Sequence, residues 1–393
     1  MDVETTNSTS PTVPAYLRVL LTACTASEAS DLHLAPGQAP LLRINGQLAA
    51  IEGEPALSIQ ELQALATDLL GGGRNATILA ERGDCDGAVT AAGARFRFNI
   101  FRRAGALCIA LRRLEERFRS LKELGLPESL YELCDLPDGL VVVAGPTGSG
   151  KSTTLAALID RVNQKRCSHI ITIEDPVEYI HTPARGLINQ RQIGIDCPDF
   201  HAALVASLRQ DPDVILVGEI RELNTIRTAI AAAETGHLVF TTVHAGDCVG
   251  VIERMVSVFP AGEQDGIRRQ LSLVLRAVIA QQLIIRDAEP PASRETAPSR
   301  RARVVASEVL MVNNAVSNLI ATGKSSQIYS AMEVGSAQGM QTLEQDLARL
   351  LATGYISEAT ALTFAKSPNT LRDRVNRLRA HSGGRTSKAA SMS

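Results

Sequence analysis

The chain has 393 residues, 45% hydrophobic and 21% charged, with a formal net charge of −2. That mix belongs to a folded chain of two or three domains. Balanced charge gives no field to gather nucleic acid, and 3% aromatics with no Trp leave few platforms for stacking bases. Seven cysteines lie far apart with no C-x-x-C pair, which excludes a zinc module of that kind and fits a reducing cytosol. No apolar run reaches transmembrane length and no signal peptide is visible. The expectation is a cytosolic chain that meets a membrane only through a partner.

Residues 1–14, rich in Ser, Thr and Pro, are expected to be disordered. Leu17, Leu20, Leu21 and Cys24 share one face of a predicted helix over Tyr16–Ala26. Alternating stretches at 30–34 and 41–46, with an Asn-Gly turn, predict short antiparallel strands. Ser58 and Glu61 have capping-box spacing at the head of a helix running to Leu70, stopped by Gly71. Alternation returns at 85–90, 94–101 and 106–112. These elements describe a small α+β domain over residues 15–115, followed by a linker, 116–137, with one helix near Glu128–Cys134.

A larger domain is expected over 138–380, ahead of a disordered tail, 381–393. Its apolar strands, Val141–Ala144, Ile170–Ile173, Val214–Val217 and Leu238–Val243, alternate with helices, the pattern of an α/β sheet that is mostly parallel and covered on both faces. Residues 267–285 read as a helix with 267, 271, 274, 275, 278 and 279 on its buried face. The Pro-, Ser- and Arg-rich stretch Asp287–Arg303 reads as an exposed loop.

The informative stretch follows Val141–Ala144. Gly145-Pro146-Thr147-Gly148-Ser149-Gly150-Lys151-Ser152-Thr153 fits the G-x-x-x-x-G-K-[ST] loop between a strand and a helix. Its glycines let backbone N–H groups close on a phosphate, and the helix from about Lys151 points its positive end there. Lys151 is placed to neutralise β- and γ-phosphates and the Ser152 hydroxyl to ligate Mg²⁺. Such a loop binds a nucleoside triphosphate. Hydrolysis further needs a carboxylate for water and an oxygen for the metal. Two acids leave strand ends, Glu174 and Glu219, and neighbouring parallel strands open on the same crevice. Gly218 stands where a Walker B strand carries its Asp, so Glu219 would hold Mg²⁺ through water. The division of labour between the two glutamates stays open. His237 and His244 flank the strand Leu238–Val243, each with a structural or a phosphate-linking reading.

Four segments, Gly145–Thr153, Ile171–Tyr179, Leu208–Arg221 and Ala233–Leu238, together resemble the Walker A, Asp box, Walker B and His box of the type II/IV secretion ATPases. Ser30–Leu34, Gly339–Leu343, Ile356–Glu358 and Ser367–Asn369 resemble the PilT/PilU branch, the pilus-retraction ATPases. This resemblance extends from about Ser30 to Leu371. It implies a PAS-like N-terminal domain, a RecA-like ATPase domain and a homo-hexameric ring that uses ATP and Mg²⁺. It also implies fingers at the γ-phosphate at the matching Arg97 and Arg112, and catalytic roles for Lys151, Glu174, Glu219, His237 and His244. The implied work is type IV pilus retraction and twitching motility. The implied setting is the cytoplasmic side of the inner-membrane pilus base, against a platform protein and a second ATPase of the same type, with no nucleic acid. One residue departs from the branch: Ser317 stands where its retraction-associated stretch carries Arg. An accessory or secretion ATPase is the alternative, and a RecA-like translocase on nucleic acid a third reading that the charge and aromatic content disfavour.

Overall fold

The computed structural model of the chain describes residues 13–44, 46–71, 74–114, 117–287 and 303–377. The expected disorder of residues 1–12 and 381–393 and the expected loop at 288–302 lie outside the described residues. Contacts divide the chain into two compact units. One comprises Met1–Arg117, Ile173–Thr182 and Gln190–Asp199; the other comprises Phe118–Thr172, Pro183–Asn189 and Phe200–Ser393. Both mix helix and sheet.

The first unit holds strands β1 (Asp31–Leu34), β2 (Leu41–Ile44), β3 (Gln47–Ala50), β4 (Asp84–Ala91), β5 (Ala94–Arg103) and β6 (Ala106–Arg113), ordered β3-β2-β1-β6-β5-β4. Every adjacent pair is antiparallel. Period-two alternation decides the faces: Phe96, Phe98 and Ile100 are buried, while Arg95, Arg97 and Asn99 point the other way. The helix Ala15–Ala26 adds Leu17, Leu20, Leu21 and Cys24 to that core. Helix Ile59–Leu70 begins on the capping box its spacing predicts: Ser58 N–H donates to Glu61 Oε2 at 2.7 Å and Glu61 N–H to Ser58 Oγ at 3.2 Å.

The larger sheet contains β7 (Gly139–Ala144), β8 (His169–Glu174), β9 (Leu187–Gln192), β10 (Val214–Val217), β11 (Leu238–Val243), β12 (Leu275–Ile285) and β13 (Arg303–Met311). Their order is β13-β12-β7-β11-β10-β8-β9. β12, β7, β11 and β10 run parallel, and β13 returns antiparallel to β12. All residues of β7, β10 and β11 are buried, as a sheet covered on both faces requires.

One expectation is corrected. The helix read over 267–285 stops at Val274; Leu275–Ile285 is strand β12. A central strand buried on both faces is apolar at nearly every position, so it satisfies a helical spacing as well as its own. The β-branched run Val278-Ile279 and Ile284-Ile285 was the signal for a strand. The predicted linker helix is a 3₁₀ run, Glu128–Asp135, preceded by one helical turn at Leu121–Leu124. Among the described residues no helix is long and apolar enough to cross a membrane.

Candidate active site

Residues 145–150 leave the C-terminal end of β7 and turn into the helix Lys151–Lys165. Two glycines make the turn possible. Gly145 has φ +146°, and a Cβ there would sit 2.2 Å from the Gln281 carbonyl oxygen. Gly150, the helix N-cap, has φ +93°. Lys151 folds back across the loop, its Nζ donating to the carbonyls of Gly145 and Pro146, each at 3.0 Å. Pro146, Thr147, Gly148 and Ser152 are exposed around this mouth, and Thr153 is half-buried. Ser149 is buried, and its Oγ has no hydrogen-bond partner among the described residues. An unsatisfied hydroxyl, a lysine ammonium and a helix N-terminus around open space at Gly148 suit a phosphate. The exposed Ser152 hydroxyl is an oxygen ligand of the kind magnesium takes.

Register brings the second half of the site alongside. Ala144 pairs with Val243, and Thr241 with Val217, so the exits of β7, β11 and β10 lie at one sheet edge. Gly218-Glu219 follows β10 and His244 follows β11. Glu219 Oε2 accepts from Arg221 at 2.7 Å and lies 3.6 Å from His244 Nε2. The same nitrogen lies 3.5 Å from the Arg221 guanidinium, which can only donate. Burial lowers the His244 pKa, the charges of Lys151 and Arg221 add to that effect, and Glu219 opposes it. His244 is therefore neutral at pH 7, an acceptor toward Arg221.

His237 is not brought to this edge. It precedes β11 beside Gly139, whose N–H donates to the His237 carbonyl at 3.0 Å. Five residues of strand, roughly 16 Å, separate it from the loop end of β7. Its Nδ1 sits 3.0 Å from the Ala232 carbonyl, closing the helix Leu223–Glu234. In this arrangement the contacts of His237 are structural ones. Arg97, Arg112 and Glu174 belong to the first unit. Arg97 and Arg112 are cross-strand neighbours on β5 and β6. Arg97 pairs with Asp86 at 3.6 Å and Glu178 at 3.9 Å, while Arg112 Nε donates to Asp31 at 2.8 Å. Glu174 accepts from Gln190 Nε2 at 3.3 Å.

Three supports escape the motif. Gln281 on β12 is buried; its Nε2 donates to the Ser149 carbonyl at 2.8 Å, and its Oε1 accepts from Thr154 Oγ1 at 2.9 Å. It ties the end of the loop to the first turn of the helix that follows. Thr241 and Thr242 donate to the carbonyls of Val217 and Gly218 at 2.8 and 2.7 Å, binding β11 to the Glu219 turn. A polar residue inside an apolar run was the only sign of each.

Residues 6–363 match the model of the Type II/IV secretion system protein family. The chain belongs to that family. It is 41% identical over 341 residues to the type IV pilus retraction ATPase PilT of Pseudomonas aeruginosa, covering 86% of this chain and 95% of that protein. To the type IV pilus ATPase PilU of the same organism it is 37% identical, covering 87% of each. The crystal structure of the pilus retraction motor PilT with bound ADP superposes with a TM-score of 0.81 at 39% identity, over 91% of this chain and 99% of that one.

Proposed function

We propose that this chain is an ATP-hydrolysing motor that drives type IV pilus retraction, and with it twitching motility, as a homo-hexamer. The observation that carries the reading is the sheet edge where Lys151 spans the phosphate loop and Glu219 and His244 leave adjacent strands. In this reading loop N–H groups and Lys151 bind and orient the triphosphate. Glu219, released from Arg221, takes the proton of the attacking water. Neutral His244 accepts from Arg221, the same guanidinium that pairs with that carboxylate, and so helps to draw it off Glu219. Ser152 and, through water, Glu219 would hold Mg²⁺, whose charge would offset that of the β- and γ-phosphates. Arg97 and Arg112 serve as fingers on the small domain, residues 15–115, while 138–380 form the motor. The ring works on the cytoplasmic face of the inner membrane against a platform protein, with ATP as substrate and no nucleic acid.

A second reading, an accessory PilU-like ATPase, is favoured by Ser317. Its hydroxyl donates to the Ser272 carbonyl at 2.6 Å, a short-range tie in place of the long cation of the retraction stretch. One experiment separates the readings: delete the gene, count surface pili and assay twitching, then complement with wild type and with Lys151→Ala. Hyperpiliation without motility, rescued only by wild type, is expected of the motor. Undiminished retraction in the deletion strain leaves the accessory reading in its place.

A further inference from the structure

A charge cluster built on the buried Glu308 lies beyond the phosphate site and joins the C-terminal segment, through an exposed Lys366, to the loop that carries His244. Asp247 caps the helix Cys248–Ser257, its Oδ1 accepting from Gly250 N–H at 2.6 Å. Glu308, on β13 opposite Ala280, is 3% exposed, and its Oε2 accepts from Cys248 N–H at 3.0 Å. One cation serves both acids. Lys366 Nζ lies 2.5 Å from Glu308 Oε1 and 3.1 Å from Asp247 Oδ2. The residue after it is held as well: Ser367 N–H donates to the buried Glu344 at 3.0 Å, and Glu344 also accepts from the Tyr329 hydroxyl. Gln341 pairs with Val309 on β13. The C-terminal segments that the sequence set apart, 339–343 and 367–369, therefore converge on the strand that carries Glu308.

Two carboxylates around one ammonium hold together only while the ammonium is there. Without it they repel, and a buried carboxylate is left without its counter-charge. The nearest segment free to answer is the short loop 244–247, which has Asp247 at one end and His244 at the other. We infer that Lys366 is a positioning residue: through Asp247 and Glu308 it holds the loop that sets His244 beside Glu219, so the C-terminal segment tunes turnover without touching nucleotide. The inference rests on the ATPase reading above for its kinetic consequence, and on hydrogen bonds alone for its structural one.

The test uses the full chain, with Lys366→Met and Lys366→Arg, and two measurements. Amide hydrogen exchange on nucleotide-free protein reads the loop directly, because Cys248 and Gly250 N–H groups are the bonded ones. In Lys366→Met exchange across 244–250 should quicken about tenfold or more while β7 is unchanged. Steady-state kinetics should show kcat lowered about tenfold, with KM for ATP within about twofold, since a loop displaced by about 1 Å loses orientation rather than binding. Lys366→Arg should restore both. Unchanged exchange at 244–250, a wild-type kcat, or a loss confined to KM overturns the assignment. A wild-type protein without ATPase activity overturns the proposed function instead, and the exchange result still decides on Lys366. If Lys366→Met does not fold, Glu308→Gln/Lys366→Met removes the buried charge yet leaves Asp247 untied; it should show the same fast exchange and low kcat, and wild-type values in it end the proposal.

Discussion

Glu219 carries its charge against Arg221 at 2.7 Å, so a neutral isostere there removes a base and an ion pair together. Glu219→Gln should still bind ATP, because the phosphate cradle lies on other residues, while hydrolysis falls by roughly 10²-fold. Single-turnover rates on nucleotide-loaded protein measure this, and a larger loss in Glu174→Gln reverses the two roles. Gln281 makes a different prediction. Leu is close in volume but leaves the Ser149 carbonyl and the Thr154 hydroxyl without their amide partners in a buried place. Gln281→Leu should cost about 1–3 kcal/mol of stability. It should also weaken ATP binding several-fold, readable by thermal scans with and without nucleotide; equal affinity in the two proteins refutes the clasp.

Among elements, those with a local signature were legible. The helix beginning at Ser58 is set by its own first turn, and the structure reproduces the capping box. Ser58→Ala should therefore cost about 1 kcal/mol, seen as a lower denaturant midpoint with unchanged slope. β12 shows the opposite case. Its identity depends on being flanked by β7 and β13, a fact of assembly that no window of eleven residues contains. His237 and His244 sit seven residues apart around one strand and are equivalent in pattern. The direction of β11 relative to β7 decides which one meets the loop.

For the whole molecule, pH and assembly are the levers. His181 is 6% exposed and burial pushes its pKa down from 6.5 to about 4. The unfolded chain thus binds a proton between about pH 6.5 and 4 that the folded chain refuses. Stability from this group is complete above pH 6.5 and is lost as pH falls toward 4. Between pH 7 and pH 5 the loss should be roughly 2 kcal/mol, and His181→Gln should flatten that part of the stability profile. Assembly makes the second prediction. If the motor is a ring with Arg97 and Arg112 as fingers, ATPase rate per chain rises with concentration through the assembly range, and small amounts of Arg97→Ala poison wild type beyond dilution. Sedimentation with parallel rate measurements decides it; a monomer fully active at every dilution would falsify ring and fingers together.

By itself the sequence was enough for the phosphate loop, the four apolar strands at 141–144, 170–173, 214–217 and 238–243, the capped helix and the family resemblance, because each is written in neighbouring residues whose spacing dictates local backbone geometry. Tertiary structure alone decided that Gln281 clasps the loop from a strand 130 residues downstream of it, roughly counted along the chain. It also decided that His244 rather than His237 faces Glu219, and that Lys366 joins Asp247 to Glu308. Those contacts depend on which strands become neighbours and in which direction they run, and that choice is made by burial of the whole sheet rather than by any one segment.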